Sequence, residues 1–290
     1  MEGLILYKAE IRRRLKKDDY TRLPRLLDIT ETFDNITSTN DLKNMLLIAD
    51  TSGMKYLEFY QLKADTDITS LIEKLEAISY HPNIPYIPGQ GNISIAKISI
   101  NDTNFEILAN FYTLDEEWVT SENGRSKELH EIHQRRVLHI KFDSNNNKLV
   151  ITIDPIGDGV KIAQDIQGFI GNIFSQYEIN FYDYFDILSI SDSIYSMNDD
   201  GLVRPHRLKT IDEHSNRSYD AVARNPQDNL SDESAFDDVR TNVLSLEKMR
   251  LSYIEYNLNI ELFSNDLLKI WSKANWEESD GIKENIIRFL

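Results

Sequence analysis

The chain has 290 residues, of which 41% are hydrophobic and 28% are charged, and this is enough apolar material for one large domain or two ordinary ones. It has no cysteine, which excludes disulfides, thiolate zinc sites and cysteine nucleophiles. The formal net charge is −16, and such a charge opposes non-specific binding to nucleic acids. Any contact with DNA therefore requires a local basic patch.

The chain lacks the apolar segments that membranes require. It has no apolar run of about 18 residues, and its first residues turn basic where a secretory signal would have its apolar core. We therefore expect a cytoplasmic protein without membrane contact. A homo-oligomer is compatible with this composition.

A β-hairpin followed by a helix is predicted near the N-terminus. Two apolar segments, 45–49 and 55–63, are separated by the turn-forming sequence at 50–53. A helix is predicted over 67–80, because Leu71, Ile72 and Leu75 lie on one helical face.

The next predicted elements are a strand and a helix. Isoleucine recurs with a period of two over 92–100, which is typical of a strand, and a break at Ala96 and Lys97 indicates a bulge. A helix is predicted over 103–112. The polar stretch 115–130 then predicts a boundary between two α+β domains.

The proposed domains comprise residues 1–125 and 126–290. The second begins with another hairpin, over 137–142 and 148–153, followed by a helix over 160–174.

The remainder is predicted to be mostly helical, so the fold class is α+β: two hairpin-plus-helix units followed by a helical C-terminal region. The predicted elements are a strand over 187–194, a polar loop over 198–240, and helices over 241–263, 267–276 and 282–290.

Three residues of the first hairpin suggest a magnesium-dependent nuclease. Restriction-endonuclease-like enzymes place an Asp at one strand end and Glu-x-Lys or Gln-x-Lys on the neighbouring strand. The stretch LLIADTSGMKYLEFYQLK resembles that arrangement through Asp50, Gln61 and Lys63. In this reading Asp50 and Gln61 hold Mg²⁺ while Lys63 orients the attacking water. An exposed hairpin with no catalytic role is the alternative.

Two local basic patches suggest contacts with phosphate groups. Both lie in regions where the net charge is locally reversed, and a solvated face or internal ion pairing is the alternative. The candidate nucleic-acid-binding residues are Arg12, Arg13, Arg14, Lys16 and Lys17 in the first patch and Arg204, Arg207 and Lys209 in the second.

Residues 40–195 resemble a known group of bacterial proteins in the order of their elements. The stretches GNISIAKISINDTNFEILANFY and RRVLHIKFDSNNNKLVITIDP, followed by YFDILSISDSI, resemble the RexA-like phage-exclusion proteins and the KwaB-like proteins of the Kiwa defence system. The resemblance implies a bacterial anti-phage context with binding to DNA or protein. It carries no catalytic motif, so it assigns no residue a role.

Three functions are compatible with the sequence. The leading hypothesis is an anti-phage component that binds DNA or a partner protein without a cofactor. The second is the nuclease with Mg²⁺, and the third is an acidic protein-interaction module, which the charge of −16 suggests.

Overall fold

The structure is a computed structural model. It describes residues 11, 42, 46, 49–50, 52–79, 94–120, 127–155, 159–212, 215, 217–225, 228–241, 243–271, 274 and 276–290.

The described residues form one sheet of eleven strands, and every pairing in it is antiparallel. The order is β2-β3-β4-β5-β1-β11-β10-β9-β7-β8, and β6 pairs with the end of β1 beside β11. The strands are β1 (Lys55–Leu62), β2 (Ser94–Asn101), β3 (Asn104–Thr120), β4 (Lys127–Asp143), β5 (Lys148–Ile153), β6 (Phe185–Ile187), β7 (Val203–Asp212), β8 (Arg217–Val222), β9 (Ser245–Tyr253), β10 (Leu258–Phe263) and β11 (Leu268–Ile270).

Six α-helices lie in the described part of the chain. They are α1 (Ile68–Glu76), α2 (Gly159–Phe174), α3 (Phe181–Tyr184), α4 (Ser191–Asp199), α5 (Ser234–Arg240) and α6 (Trp276–Phe289). None of the helices that the structure describes is long and apolar enough to cross a bilayer.

Strand β1 lies between two hydrophobic cores because its side chains alternate between the faces of the sheet. Tyr56 and Tyr60 point to one face, here called the front, where α1, α2 and α3 pack on β2 to β5. Leu57 and Phe59 point to the back, where α4, α5 and α6 pack on β7 and β9 to β11. The six described helices therefore cover opposite faces in the two halves of the sheet.

On strands β7, β9, β10 and β11, the side chains that lie between those of the second core consequently point to the front. We call this surface, which none of the described helices covers, the open face. On β9, Met249 and Leu251 lie in the second core, so Lys248 and Arg250 lie on the open face.

The first predicted hairpin is wrong. Leu46, Ala49 and Asp50 are helical at their described positions, and β1 pairs with β5 and β11 instead. The physical reason is that residues 55–60 are all buried, so the backbone groups along both edges of β1 need hydrogen-bond partners from neighbouring strands.

The predicted helix over 103–112 is also wrong, because this segment belongs to β3. Phe105, Ile107 and Ala109 are all in the first core and recur with a period of two. Asp102 adopts a φ of 53° in the preceding turn, which reverses the chain from β2 into β3.

The prediction of a mostly helical C-terminal region is also wrong, because buried residues recur there with a period of two, as they do in β3. Residues predicted as helices over 241–263 and 267–276 form β9, β10 and β11, and α5, β7 and β8 occupy the predicted loop over 198–240. The strand predicted over 187–194 is replaced by the end of β6 and the start of α4.

Several predicted elements are confirmed. Helix α1 begins after Asp67, whose side chain accepts a hydrogen bond from the backbone N–H of Thr69. The register of β2 shifts between Ile95 and Lys97, where the bulge was expected. The hairpin of β4 and β5, helix α2 and the helical tail within α6 are also present.

The boundary predicted between residues 125 and 126 falls between β3 and β4. These two strands pair over their full lengths, from Phe105 opposite Phe142 to Thr120 opposite Lys127. One continuous sheet therefore extends across the division between residues 1–125 and 126–290.

Candidate nucleic-acid interface

The first predicted basic patch lies outside the described residues. This applies to all five of its candidates: Arg12, Arg13, Arg14, Lys16 and Lys17. The second patch lies on β7, and the structure shows how its side chains are arranged.

Strand β7 presents three cations on the open face. Val203 and Leu208 lie in the second core on the back, so Arg204, Arg207 and Lys209 point to the front. All three cations are half-buried. They extend over roughly 15 Å of strand.

Neighbouring strands add three more cations that the sequence analysis missed. In the sheet register Arg207 lies opposite Arg250, and Lys209 lies opposite Lys248. Lys269 of β11 lies opposite Glu261 of β10, which completes the basic surface. A signal was available, because residues 248–253 alternate strictly between polar and apolar side chains.

Three carboxylates accompany these six cations. Asp220 of β8 accepts hydrogen bonds from Arg207 at 3.0 and 2.7 Å. Glu247 pairs with Lys209 at 2.6 Å, and this carboxylate follows Leu246 at an irregularity in the β7–β9 register.

The third carboxylate, Glu261, is buried and accepts a hydrogen bond from Arg250 at 2.8 Å. Among the residues that the structure describes, the open face thus carries six cations and three carboxylates, whereas acids outnumber bases by 48 to 32 in the whole chain.

Two of the ion pairs are exposed enough to exchange partners. The Arg207 guanidinium holds the pKa of Asp220 below its ordinary value, and the hydrogen bond from Arg207 is the main cause. The side chains of Lys209 and Glu247 are 32% and 30% exposed. Such solvent-exposed pairs contribute only about 0–1 kcal/mol, so a phosphate can replace the carboxylate at little cost.

An aromatic side chain lies at the edge of this surface. The ring of Trp271 has the Lys269 ammonium 4.0 Å and the Arg250 guanidinium 4.9 Å from its centroid. Trp271 itself is half-buried. These cation–π contacts hold the indole ring beside the end of β11.

His206 lies on β7 beside these cations. Burial lowers its pKa, and the nearby Arg250 guanidinium lowers it further. Its Nδ1 lies 3.3 Å from the Ser252 hydroxyl. Because the imidazole is kept neutral, the positive charge of the open face comes from lysine and arginine.

The structure does not bring the three nuclease candidates together. Asp50 forms a buried bidentate pair with Arg135 near the start of β1. Gln61 lies at the other end of that strand, roughly 25 Å away, where it donates to the Asn147 carbonyl oxygen. Lys63 follows the strand and donates to the Tyr182 carbonyl oxygen at 2.6 Å.

The described residues also hold no group of three histidine or carboxylate side chains that could bind a metal ion. Comparison of the chain with protein-family models, with curated proteins and with solved structures returned no match. The open face and its charges are therefore the observations on which a functional proposal rests.

Proposed function

We propose that the protein binds DNA through the open face. The supporting observation is the cluster of six cations from β7, β9 and β11 on a sheet face that none of the described helices covers, in an acidic chain. Phosphate contacts of this kind supply most of the sequence-independent affinity of DNA-binding proteins.

The arrangement suits a DNA single strand better than a duplex. A sheet surface offers bases a place to stack, whereas reading a duplex requires an element that enters a groove. The Trp271 ring supplies one such stacking surface beside the cations.

The test compares two variants with the same loss of charge. Arg204→Gln/Lys248→Gln removes two cations from the open face, and Lys74→Gln/Lys127→Gln removes two from elsewhere on the protein. Fluorescence anisotropy with labelled single-stranded and duplex DNA gives the affinity between about 50 and 200 mM salt.

We expect the open-face variant to bind DNA at least about tenfold more weakly. The slope of log affinity against log salt concentration should also be smaller by about one to two, because roughly one counterion is released per phosphate contact. The control variant should bind as the unmodified protein does. Equal losses in the two variants, or no binding by the unmodified protein, would remove the proposal.

We further propose that DNA binding serves anti-phage defence. The resemblance of residues 40–195 to the RexA-like and KwaB-like proteins supports this context. Expression in a bacterial host should lower the plating efficiency of phage, and Arg204→Gln/Lys248→Gln should restore it. Equal protection by the variant would separate defence from DNA binding.

A further inference from the structure

A second candidate site lies on the back of the sheet at its other half. Helix α6 crosses beside β4 and β5 there and leaves a cavity of about 490 Å³. We call it the α6 groove. Its walls include Lys141, Lys148 and Val150 from the sheet and Lys283, Ile287 and Arg288 from the helix.

Several charged groups of the groove are satisfied within the protein. Asp280 accepts a hydrogen bond from Lys283 at 2.9 Å. Asp143 accepts hydrogen bonds from the side-chain amides of Asn145 and Asn146, each at 3.0 Å. The charge of Asp280 is therefore offset by Lys283, whereas the amides hold the Asp143 carboxylate in the β4–β5 turn and leave its negative charge in place.

His139 and Glu106 form another satisfied pair at the groove, 2.7 Å apart. The hydrogen bond to His139 is the main reason that the pKa of Glu106 is lowered to about 2. Glu106 is therefore ionised over the whole physiological range, and its charge is directed at the imidazole.

Three cations remain without an ion pair to any residue that the structure describes: Lys141, Lys148 and Arg288. Two acidic groups of the wall, Glu284 and Asp143, also lack an ion pair among the described residues, so the three cations outnumber them. Burial lowers the pKa of Lys148, so part of its hydration is lost without a compensating carboxylate. An anionic ligand would compensate this cost.

The groove also has an apolar part, to which Val150 and Ile287 contribute from opposite walls. Its volume lies in the range of small-molecule sites. We propose that the α6 groove binds a small organic anion, with its carboxylate, sulfonate or phosphate at Lys148 and its apolar body between Val150 and Ile287. This site is separate from the open face.

The probe is 1-anilinonaphthalene-8-sulfonate, which joins a sulfonate to an aromatic body and fluoresces on binding. The unmodified protein should bind it with a single saturable phase. Lys148→Gln should weaken binding by about tenfold, because an ion-paired hydrogen bond is lost. Lys74→Gln, which removes a cation from α1, should leave the affinity unchanged.

A second variant tests the apolar part. Ile287→Trp fills the groove and should abolish the saturable phase while the protein keeps its far-ultraviolet circular dichroism. Equal binding by the unmodified protein, Lys148→Gln and Ile287→Trp would overturn the proposal.

Competition identifies the ligand chemistry and separates this site from the open face. Decanoate should displace the probe, whereas inorganic phosphate and a DNA oligonucleotide should not. If inorganic phosphate displaced the probe as well as decanoate does at equal concentration, binding would not require an apolar body, which contradicts the proposal. Displacement by DNA would show that the groove is not a separate small-molecule site.

Discussion

Arg135 of β4 donates two parallel hydrogen bonds to Asp50, at 2.8 and 2.9 Å, and both side chains are almost fully buried. This pair ties the helical residue Asp50 to the sheet close to the start of β1. Its geometry explains why Asp50 serves the fold here and lies far from Gln61 and Lys63.

Asp50→Asn should destabilise the protein by about 3–5 kcal/mol, because Arg135 would keep its buried charge without the carboxylate. Urea unfolding followed by circular dichroism measures this loss. Asp50→Leu/Arg135→Met removes both charges and should recover part of the stability. A loss below about 1 kcal/mol in Asp50→Asn would contradict the structural role of this pair.

Glu58 and Tyr60 predict a specific pH dependence of stability. Burial raises the pKa of Glu58 from 4.5 to about 7, although the hydrogen bond from Tyr60, 2.6 Å long, opposes the shift. The folded state therefore keeps the proton that the unfolded state releases between about pH 4.5 and 7. Stability from this group is complete below pH 4.5 and is lost as the pH rises to about 7.

Glu58→Gln removes this titration. The stability of the variant relative to the unmodified protein should rise by about 3 kcal/mol between pH 4.5 and 7.5, since one pKa unit corresponds to about 1.4 kcal/mol. Denaturant unfolding across this range gives the difference. Tyr60→Phe is the matched control, because loss of its hydrogen bond should raise the Glu58 pKa further. A constant difference between Glu58→Gln and the unmodified protein would rule out the shift.

The sequence correctly predicted those elements that combine a regular hydrophobic pattern with recognisable capping or turn residues. Helix α1 has an N-cap at Asp67 and three buried residues on one face. The hairpin of β4 and β5 has a turn in which Asp143 accepts hydrogen bonds from the following asparagines. Such signals involve residues within one or two turns of each other, so one sequence suffices to detect them.

Pairing between distant strands was not predictable in the same way. Residues 245–263 contain good helix formers such as Leu246, Glu247 and Met249, yet they form β9 and β10 because the second core buries alternate residues. The same misassignment hid Lys248 and Arg250 from the candidate site. Composition alone identified the three cations of β7, while their neighbours across the sheet required the fold.

Two glycines should respond in opposite directions to the same substitution. Gly201 follows α4 with a φ of 73°, and its backbone N–H donates to the Asn198 carbonyl oxygen in a helix-ending motif. Gly201→Ala should cost about 1 kcal/mol because alanine is strained at this φ.

Gly168 is the matched comparison. It lies within α2, and an added methyl group would meet no atom within 4 Å. Gly168→Ala should therefore stabilise the protein by about 0.5–1 kcal/mol. Thermal unfolding of both variants measures the two effects. If both substitutions changed the stability by the same amount in the same direction, the backbone conformation of the glycine would not determine the effect of alanine.

Trp271 should distinguish single-stranded from duplex DNA. If its ring stacks on a base, Trp271→Leu loses about 1–3 kcal/mol of affinity for a short oligothymidine but little for a duplex, whose bases are already stacked. Fluorescence anisotropy with both DNAs measures the difference. Trp271→Phe retains an aromatic ring and should keep most of the affinity. An equal loss for single-stranded and duplex DNA would instead indicate that Trp271 acts by holding Arg250 and Lys269 in place, since both cations lie against its ring.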